Sequence, residues 1–208
     1  MKTSYLTMDR QDNKATGTGV PHVDICGIRV SAVNLQSACE VIERWIHNRH
    51  KTYVCVTPVS MIVDACHQEG YRSIVNQAGM ATPDGMPLVW LGRWKGHKNM
   101  DRTYGPDLMG EMCRLSEEKQ YRIYLYGGSE DCGRKLQSSL LKKFPRLNIV
   151  GRWSPPFRAL NDEETRRLVS EINRADPDLL WVGLGSPKQD FWMAEHRRQL
   201  AVPVMIGV

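Results

Sequence analysis

One carboxylate, one guanidinium and one ammonium, each beside a glycine or proline turn, stand out for chemistry along these 208 residues. Asp84 lies in Thr82-Pro83-Asp84-Gly85. At the carboxyl end of a strand, an ionised Asp could take a proton from an attacking hydroxyl, and the glycine lets a ligand approach the backbone closely. Pro-Asp-Gly is equally suited to a plain turn. Thr57, before Pro58, could touch the same ligand or simply cap the helix that follows. Arg102, in Asp101-Arg102-Thr103-Tyr104-Gly105-Pro106-Asp107, has the fork that clamps a diphosphate. Asp101 or Asp107 could instead hold it in a surface ion pair.

Two glycine turns complete the set. Tyr126-Gly127-Gly128-Ser129 can offer backbone N–H groups and a helix N-terminus to a phosphate, although it lacks the full Gly-x-Gly-x-x-Gly pattern. Gly183-Leu184-Gly185-Ser186-Pro187-Lys188-Gln189 opens a helix with Lys188 in its first turn, where the dipole disfavours a cation and an anionic ligand would remove that cost. Gln189 could hydrogen-bond a base or sugar, or reciprocate Ser186 in a capping box. Arg152 falls where a dinucleotide site reads its ribose, and an arginine there suits a 2′-phosphate, which keeps an NADP-dependent oxidoreductase open as a rival.

The elements that must position these groups alternate. Strands are expected at Tyr53–Thr57, Gly79–Thr82, Arg122–Tyr126, Leu147–Val150 and Leu179–Val182, and Val23–Val30 reads as a strand or a tight pair of strands about Gly27. Helices are expected after Ser37, whose spacing to Glu40 suggests a capping box, and after Pro58, Pro106, Asp131, Asn161 and Pro187, the last running to Leu200. Such alternation predicts an α/β fold: a Rossmann-like, open and mainly parallel sheet with helices on both faces. Carboxyl ends of parallel strands share one edge, so the turns at Thr57, Asp84, Gly127 and Gly183 would meet at one crevice.

Composition narrows the classes. The chain carries 28 Lys and Arg against 23 Asp and Glu, a net charge of +5, with basic residues scattered rather than blocked. That balance suits an anionic small molecule or an acidic membrane surface, and nucleic acid is not expected as a partner. Six cysteines show no Cys-x-x-Cys pair, and the six histidines show no metal-type spacing. Asp176-Pro177-Asp178 resembles a divalent-metal motif but precedes its strand, at the wrong edge of the sheet, so no metal site is assigned. Residues 1–20 read as a disordered leader without a signal peptide, and 21–208 as one α/β domain, cytoplasmic, with no stretch apolar enough to span a membrane. The closing Pro203–Val208 run reads as a buried strand, which suggests a chain truncated at its C-terminus.

Taken in order, Thr57-Pro58, Pro83-Asp84-Gly85-Met86-Pro87, Arg102-x-Tyr104-Gly105-Pro106-Asp107-Leu108, Tyr126-Gly127-Gly128 and Gly183-Leu184-Gly185-Ser186-Pro187-Lys188-Gln189 resemble the WecG/TagA/CpsF family of bacterial glycosyltransferases over roughly Val23 to Val208. The resemblance implies a metal-independent, inverting transfer from a UDP-sugar to a polyprenyl-diphosphate-linked sugar. It places the chain peripherally at the inner face of the cell membrane, requires no cofactor, and leaves homo-oligomerisation open. It implies Asp84 as the base with Thr57 beside it, and Arg102, Tyr104, Gly127, Gly128, Gly185, Lys188 and Gln189 around the substrates. Two features depart from the family pattern: Val59 and Ser60 stand where many relatives have an asparagine, and relatives continue into a basic C-terminal segment. A non-catalytic nucleotide-binding module therefore stays open beside the enzyme.

Overall fold

The structure is a computed structural model that describes residues 19–208. A hairpin of β1 (His22–Ile25) and β2 (Ile28–Ser31) turns at Cys26 and Gly27, both with positive φ. Six further strands follow: β3 (Thr52–Pro58), β4 (Met80–Asp84), β5 (Arg122–Gly127), β6 (Asn148–Trp153), β7 (Leu179–Gly183) and β8 (Val204–Gly207). They form one sheet in the order β4-β3-β8-β7-β5-β6, and every pairing in it is parallel. β3, β5, β7 and β8 are apolar on both sides, as strands covered on two faces must be.

Helices α1 (Leu35–His47), α5 (Gly105–Lys119) and α6 (Glu130–Lys143) cover one face. Ile42, Leu108, Met112 and Leu140 there meet Val54, Leu125, Val204 and Ile206. Helices α2 (Val59–His67), α3 (Glu69–Gln77), α7 (Asp162–Ala175) and α8 (Lys188–His196) cover the other, with the hairpin. Ile62, Tyr71, Ile172 and Met193 there pack on Tyr53, Tyr124, Leu180 and Met205. Helix α4 (Met86–Trp94) joins this second core through Leu88.

Several boundaries differ from the sequence expectation for local reasons. The cap of α1 is Asn34, not Ser37: Asn34 Oδ1 accepts from Ser37 N at 2.9 Å while Ser37 Oγ accepts from Asn34 N at 3.0 Å. Ser37 is thus the reciprocal partner of a box that begins one turn earlier. Helix α3 was not expected at all, because only Tyr71 and Val75 of its polar sequence are buried. Helix α8 ends at His196 rather than running to Leu200. The expected leader over 1–20 lies outside the described residues except for its last two, of which Val20 is buried in the core.

The amino edge is fixed by charge. Arg122 bridges Asp176 at 2.6 Å and Asp178 at 3.0 Å, and Arg49 reaches both carboxylates at 3.1 Å. The Arg122 hydrogen bond is the main reason that the Asp176 carboxyl titrates below the usual range. This Asp-Pro-Asp motif is a clamp at the start of β7, at the edge remote from the glycine turns.

One buried acid anchors α8. Asp190 is 0 % exposed and accepts a hydrogen bond from the Tyr71 hydroxyl at 2.8 Å, and its Oδ1 has no partner among the described residues. Burial pushes its carboxyl above the ordinary value. Because the shift is upward, the folded chain holds a proton that the unfolded chain releases. That contribution is full below the unfolded carboxyl range and is lost as pH rises through the folded value.

Wild-type protein should lose stability relative to Asp190→Asn from about pH 4 upward, by at most about 1.4 kcal/mol per pH unit, as read from urea midpoints. A pH-independent difference would show that Asp190 folds as an ordinary carboxylate. Gly127→Ala, at φ +128° with the Gly183 carbonyl where a Cβ would sit, should cost about 2 kcal/mol or more and lower Tm by roughly 4–8 °C. Gly110→Ala, on α5 with open space around it, should instead stabilise by ~0.4–1 kcal/mol; equal Tm changes for the two variants would contradict the tight approach.

Candidate functional site

All the expected turns emerge on the carboxyl edge of the sheet, but in two groups and not at the single crevice that the sequence predicts, because β3 and β8 stand between β4 and β7. At one end, β3 and β4 pair with Thr57 opposite Pro83 and Pro58 opposite Asp84. The Asp84 side chain is 14 % exposed, Arg102 Nε donates to its Oδ1 at 3.1 Å, and Arg102 Nη2 lies 3.1 Å from the same oxygen in an ion pair. The guanidinium carbon of Arg102 lies 4.5 Å from the centre of the Tyr104 ring, which fixes its second face. The loop that carries Arg102 is itself pinned, since Thr103 N donates to the Pro83 carbonyl at 2.9 Å. The carboxylate is thereby held in one orientation at a rim open to solvent.

Thr57 belongs to the opposite side of the same strand pair. Side chains alternate along a strand, so Thr57 follows Tyr53 and Cys55 toward the α2 and α8 face, while Asp84 follows Met80 and Thr82 toward the α5 face. Thr57 is 0 % exposed, and its hydroxyl donates to the Cys55 carbonyl at 3.1 Å. It supports the strand end and presents no hydroxyl at the surface.

The second group lies at the tips of β5 and β7, where Gly127 pairs with Gly183. Gly127 and Gly128 have φ of +128° and +63°, and Gly185 has +78°. After β5 the chain turns into α6 on one face, and after β7 it turns into α8 on the other. Adjacent strands whose following helices diverge make a topological switch point, the usual crevice for a ligand in open α/β sheets. On one side of it, Gly127, Gly128, Arg152 and Trp181 line a cavity of about 290 Å³. On the other, Lys188, Arg158, Tyr126 and Trp192 line one of about 510 Å³.

Several groups expected at this crevice have other partners. Gly128 N donates to the Gly183 carbonyl at 3.0 Å, so this amide does not face a ligand. What the glycines provide is room. Gln189 is 3 % exposed and folds back, its Oε1 accepting from Gly185 N at 3.0 Å and its Nε2 reaching Ser186 Oγ at 3.4 Å. It shapes the loop, but not as a capping box with Ser186: Pro187 is the N-cap of α8 and no side chain caps the helix. Arg152 is bound by Glu130 at 2.7 Å and Gln137 at 3.2 Å, which takes from the nicotinamide reading its ribose-phosphate group. Lys188 is exposed at the start of α8. The Ser186–Pro187 peptide is cis.

Trp181 was not singled out by sequence. It is 2 % exposed, lines the smaller cavity, and its indole N–H has no partner among the described residues. An apolar position within a buried strand gives no signal of such a donor. The two groups share a rim but are not adjacent: β3, β8 and β7 separate β4 from β5, so at ~4.8 Å per strand Asp84 stands about 14 Å from the β7 tip and about 19 Å from that of β5. Arg102, expected near the glycine turns, is at the Asp84 end. Among the described residues, no three His, Cys, Asp or Glu side chains converge as a metal site needs, and no helix is long and apolar enough to cross a membrane.

Residues 23–208 match the sequence model of the Glycosyl transferase WecG/TagA/CpsF family. The chain is 23% identical over 205 residues to the N-acetylglucosaminyldiphosphoundecaprenol N-acetyl-beta-D-mannosaminyltransferase of Staphylococcus aureus strain MRSA252, a match spanning 98% of this chain and 76% of that protein. Proteins of the same name from strains NCTC 8325 / PS 47 and COL match at the same identity and the same coverage. With the five motifs ordered along a single parallel rim and the family model matching nearly all of the described chain, the protein belongs to the WecG/TagA/CpsF family of glycosyltransferases.

Proposed function

We propose that this chain transfers a sugar from a UDP-sugar to a sugar carried on a polyprenyl diphosphate, with inversion and without a divalent metal. The observation that carries the reading is the position of Asp84. It is the carboxylate held by Arg102 on the same rim as the glycine crevice. The relatives' names supply the substrate class: an N-acetylmannosaminyl donor and an N-acetylglucosaminyl-diphosphoundecaprenol acceptor.

In this reading the nucleotide lies over the switch point, where Gly127, Gly128, Gly183 and Gly185 keep side chains out of its way. Lys188 and the Trp181 N–H serve the diphosphate and the buried end of the nucleotide. The sugar points along the rim, across the tips of β8 and β3, toward Asp84. The acceptor oxygen attacks the anomeric carbon while Asp84 takes its proton. The bond from that carbon to the UDP oxygen breaks, and its electron pair leaves with UDP. Single displacement on the face opposite the departing oxygen inverts the centre. Arg102 fixes the carboxylate through Oδ1, which leaves Oδ2 to face the hydroxyl, and Lys188 offsets charge growing on the diphosphate. Thr57 and Gln189 support this machinery from beneath, and Tyr104 backs Arg102 at the surface. Work on a polyprenyl-linked acceptor places the protein at the cytoplasmic face of a membrane, as a peripheral protein.

Calorimetric titration tests the donor class: UDP should bind and NADPH should not, whereas NADPH binding without UDP would overturn the transferase reading. Asp84→Asn should lower transfer by ~10²–10⁴-fold while leaving UDP affinity nearly intact. An undiminished rate in that variant would remove Asp84 from the role of base.

A further inference from the structure

The helices that leave the Asp84 end of the rim carry apolar side chains where a surface helix carries polar ones. Helix α4 begins two residues after Asp84, and its Met86, Trp90 and Trp94, at i, i+4 and i+8, form one stripe, with Leu91 beside it. Trp90 is 61 % and Trp94 82 % exposed. Val59 and Val63 of α2 extend the stripe, both exposed, and a Cβ on Gly85 would meet Val59 at 3.2 Å, so the two helices adjoin at the rim. The inward residues of α4, Leu88 and Val89, already fill the core, so folding does not call for the outward ones to be apolar.

Charge indicates what covers this ridge. From Met86 to Tyr104 the chain has four basic residues, Arg93, Lys95, Lys98 and Arg102, against one acid, Asp101; Arg93 pairs with Asp101 at 3.3 Å and Arg102 with Asp84 at 3.1 Å, so Lys95 and Lys98 carry the charge left over, against Asp64 on α2. Arg93, Lys98 and Arg102 line one open groove between the foot of α4 and the start of α1, together with Asp101. Exposed tryptophans flanked by cations match an anionic bilayer, with indoles at the headgroup level and cations against phosphate. A second protein copy would meet the same net positive charge with its own.

We propose that the α2–α4 ridge is the surface on which this protein docks to anionic lipid, with Trp90 and Trp94 entering the interface. The proposal rests on the polyprenyl-linked acceptor reading, to which it adds the orientation. Docked this way, Asp84 sits at the headgroup level, where the sugar and diphosphate of a membrane-held acceptor lie, and the groove of Arg93, Lys98 and Arg102 faces that diphosphate.

Co-sedimentation of the 208-residue chain with phosphatidylcholine vesicles, with and without phosphatidylglycerol, tests it. Binding should require phosphatidylglycerol, weaken with salt, and fall by roughly tenfold or more in Trp90→Ala/Trp94→Ala, as loss of buried apolar area and not of charge dictates. Phe157→Ala, which removes a fully exposed ring from the loop before α7, should bind as wild type. Circular dichroism establishes folding, and UDP affinity should be the same in all three proteins. Equal vesicle binding by wild type and the double variant would overturn the proposal. So would absence of vesicle binding together with a dimer that the double variant converts to monomer, which would give the ridge to a second copy. Vesicle binding lost in the double variant, alongside wild-type protein that does not bind UDP, would uphold the ridge and sink the transferase reading instead.

Discussion

Six strands running in one direction force every strand-to-helix turn of the sheet onto one edge, and the chemistry of this protein depends on that constraint. Residues 43 positions apart, Asp84 and Gly127, are brought to a common rim without touching each other. The hydrogen-bonded ladder sets their separation, and it is rigid because both faces of the central strands are buried. A substrate that is to meet both must be elongated and lie along the rim. A nucleotide with a sugar beyond its diphosphate has that shape, which is why the separation of the two groups agrees with a transferase instead of arguing against it.

The rim also divides labour between backbone and side chains. At the β5–β7 crevice the backbone does most of the work: Gly127 lies so close to the Gly183 carbonyl that no side chain fits between them, and the amide of Gly128 is committed to the same oxygen. At the β4 end the side chains dominate, with Arg102 between Asp84 and the Tyr104 ring. Behind the crevice, Gln189 and Asp190 are consecutive residues of the first turn of α8, one closing the Gly185 loop and the other tying the helix to α3 through Tyr71. The loop that presents Lys188 is therefore held from within the core.

Much of this was legible in the sequence because it is local. Strands that end in Thr-Pro, Pro-Asp-Gly and Gly-Gly announce their own boundaries, and alternation with amphipathic helices fixes a parallel sheet and hence a shared edge. What stayed hidden depends on contacts across the fold. Strand parity buries Thr57 on the face away from Asp84, and only the pairing of β3 with β4 reveals it. Arg102 finds Asp84 because the loop before α5 returns over the β4 tip, not because of any spacing between them. An acid in the first turn of a helix ordinarily reads as a solvated partner of the dipole, so the burial of Asp190 had no sequence signal. Helix α3, with two buried residues in nine, was too polar for periodicity to register.

A crystal structure of the protein with UDP would test the shared-rim account most directly. The account predicts density for the diphosphate over the Gly127–Gly183 crevice, in reach of Lys188, with its terminal phosphate directed along the tips of β8 and β3 toward Asp84. UDP seated in the groove between α1 and α5 that Cys39, Glu111 and Arg114 line, or at the amino edge beside Asp176, would contradict it.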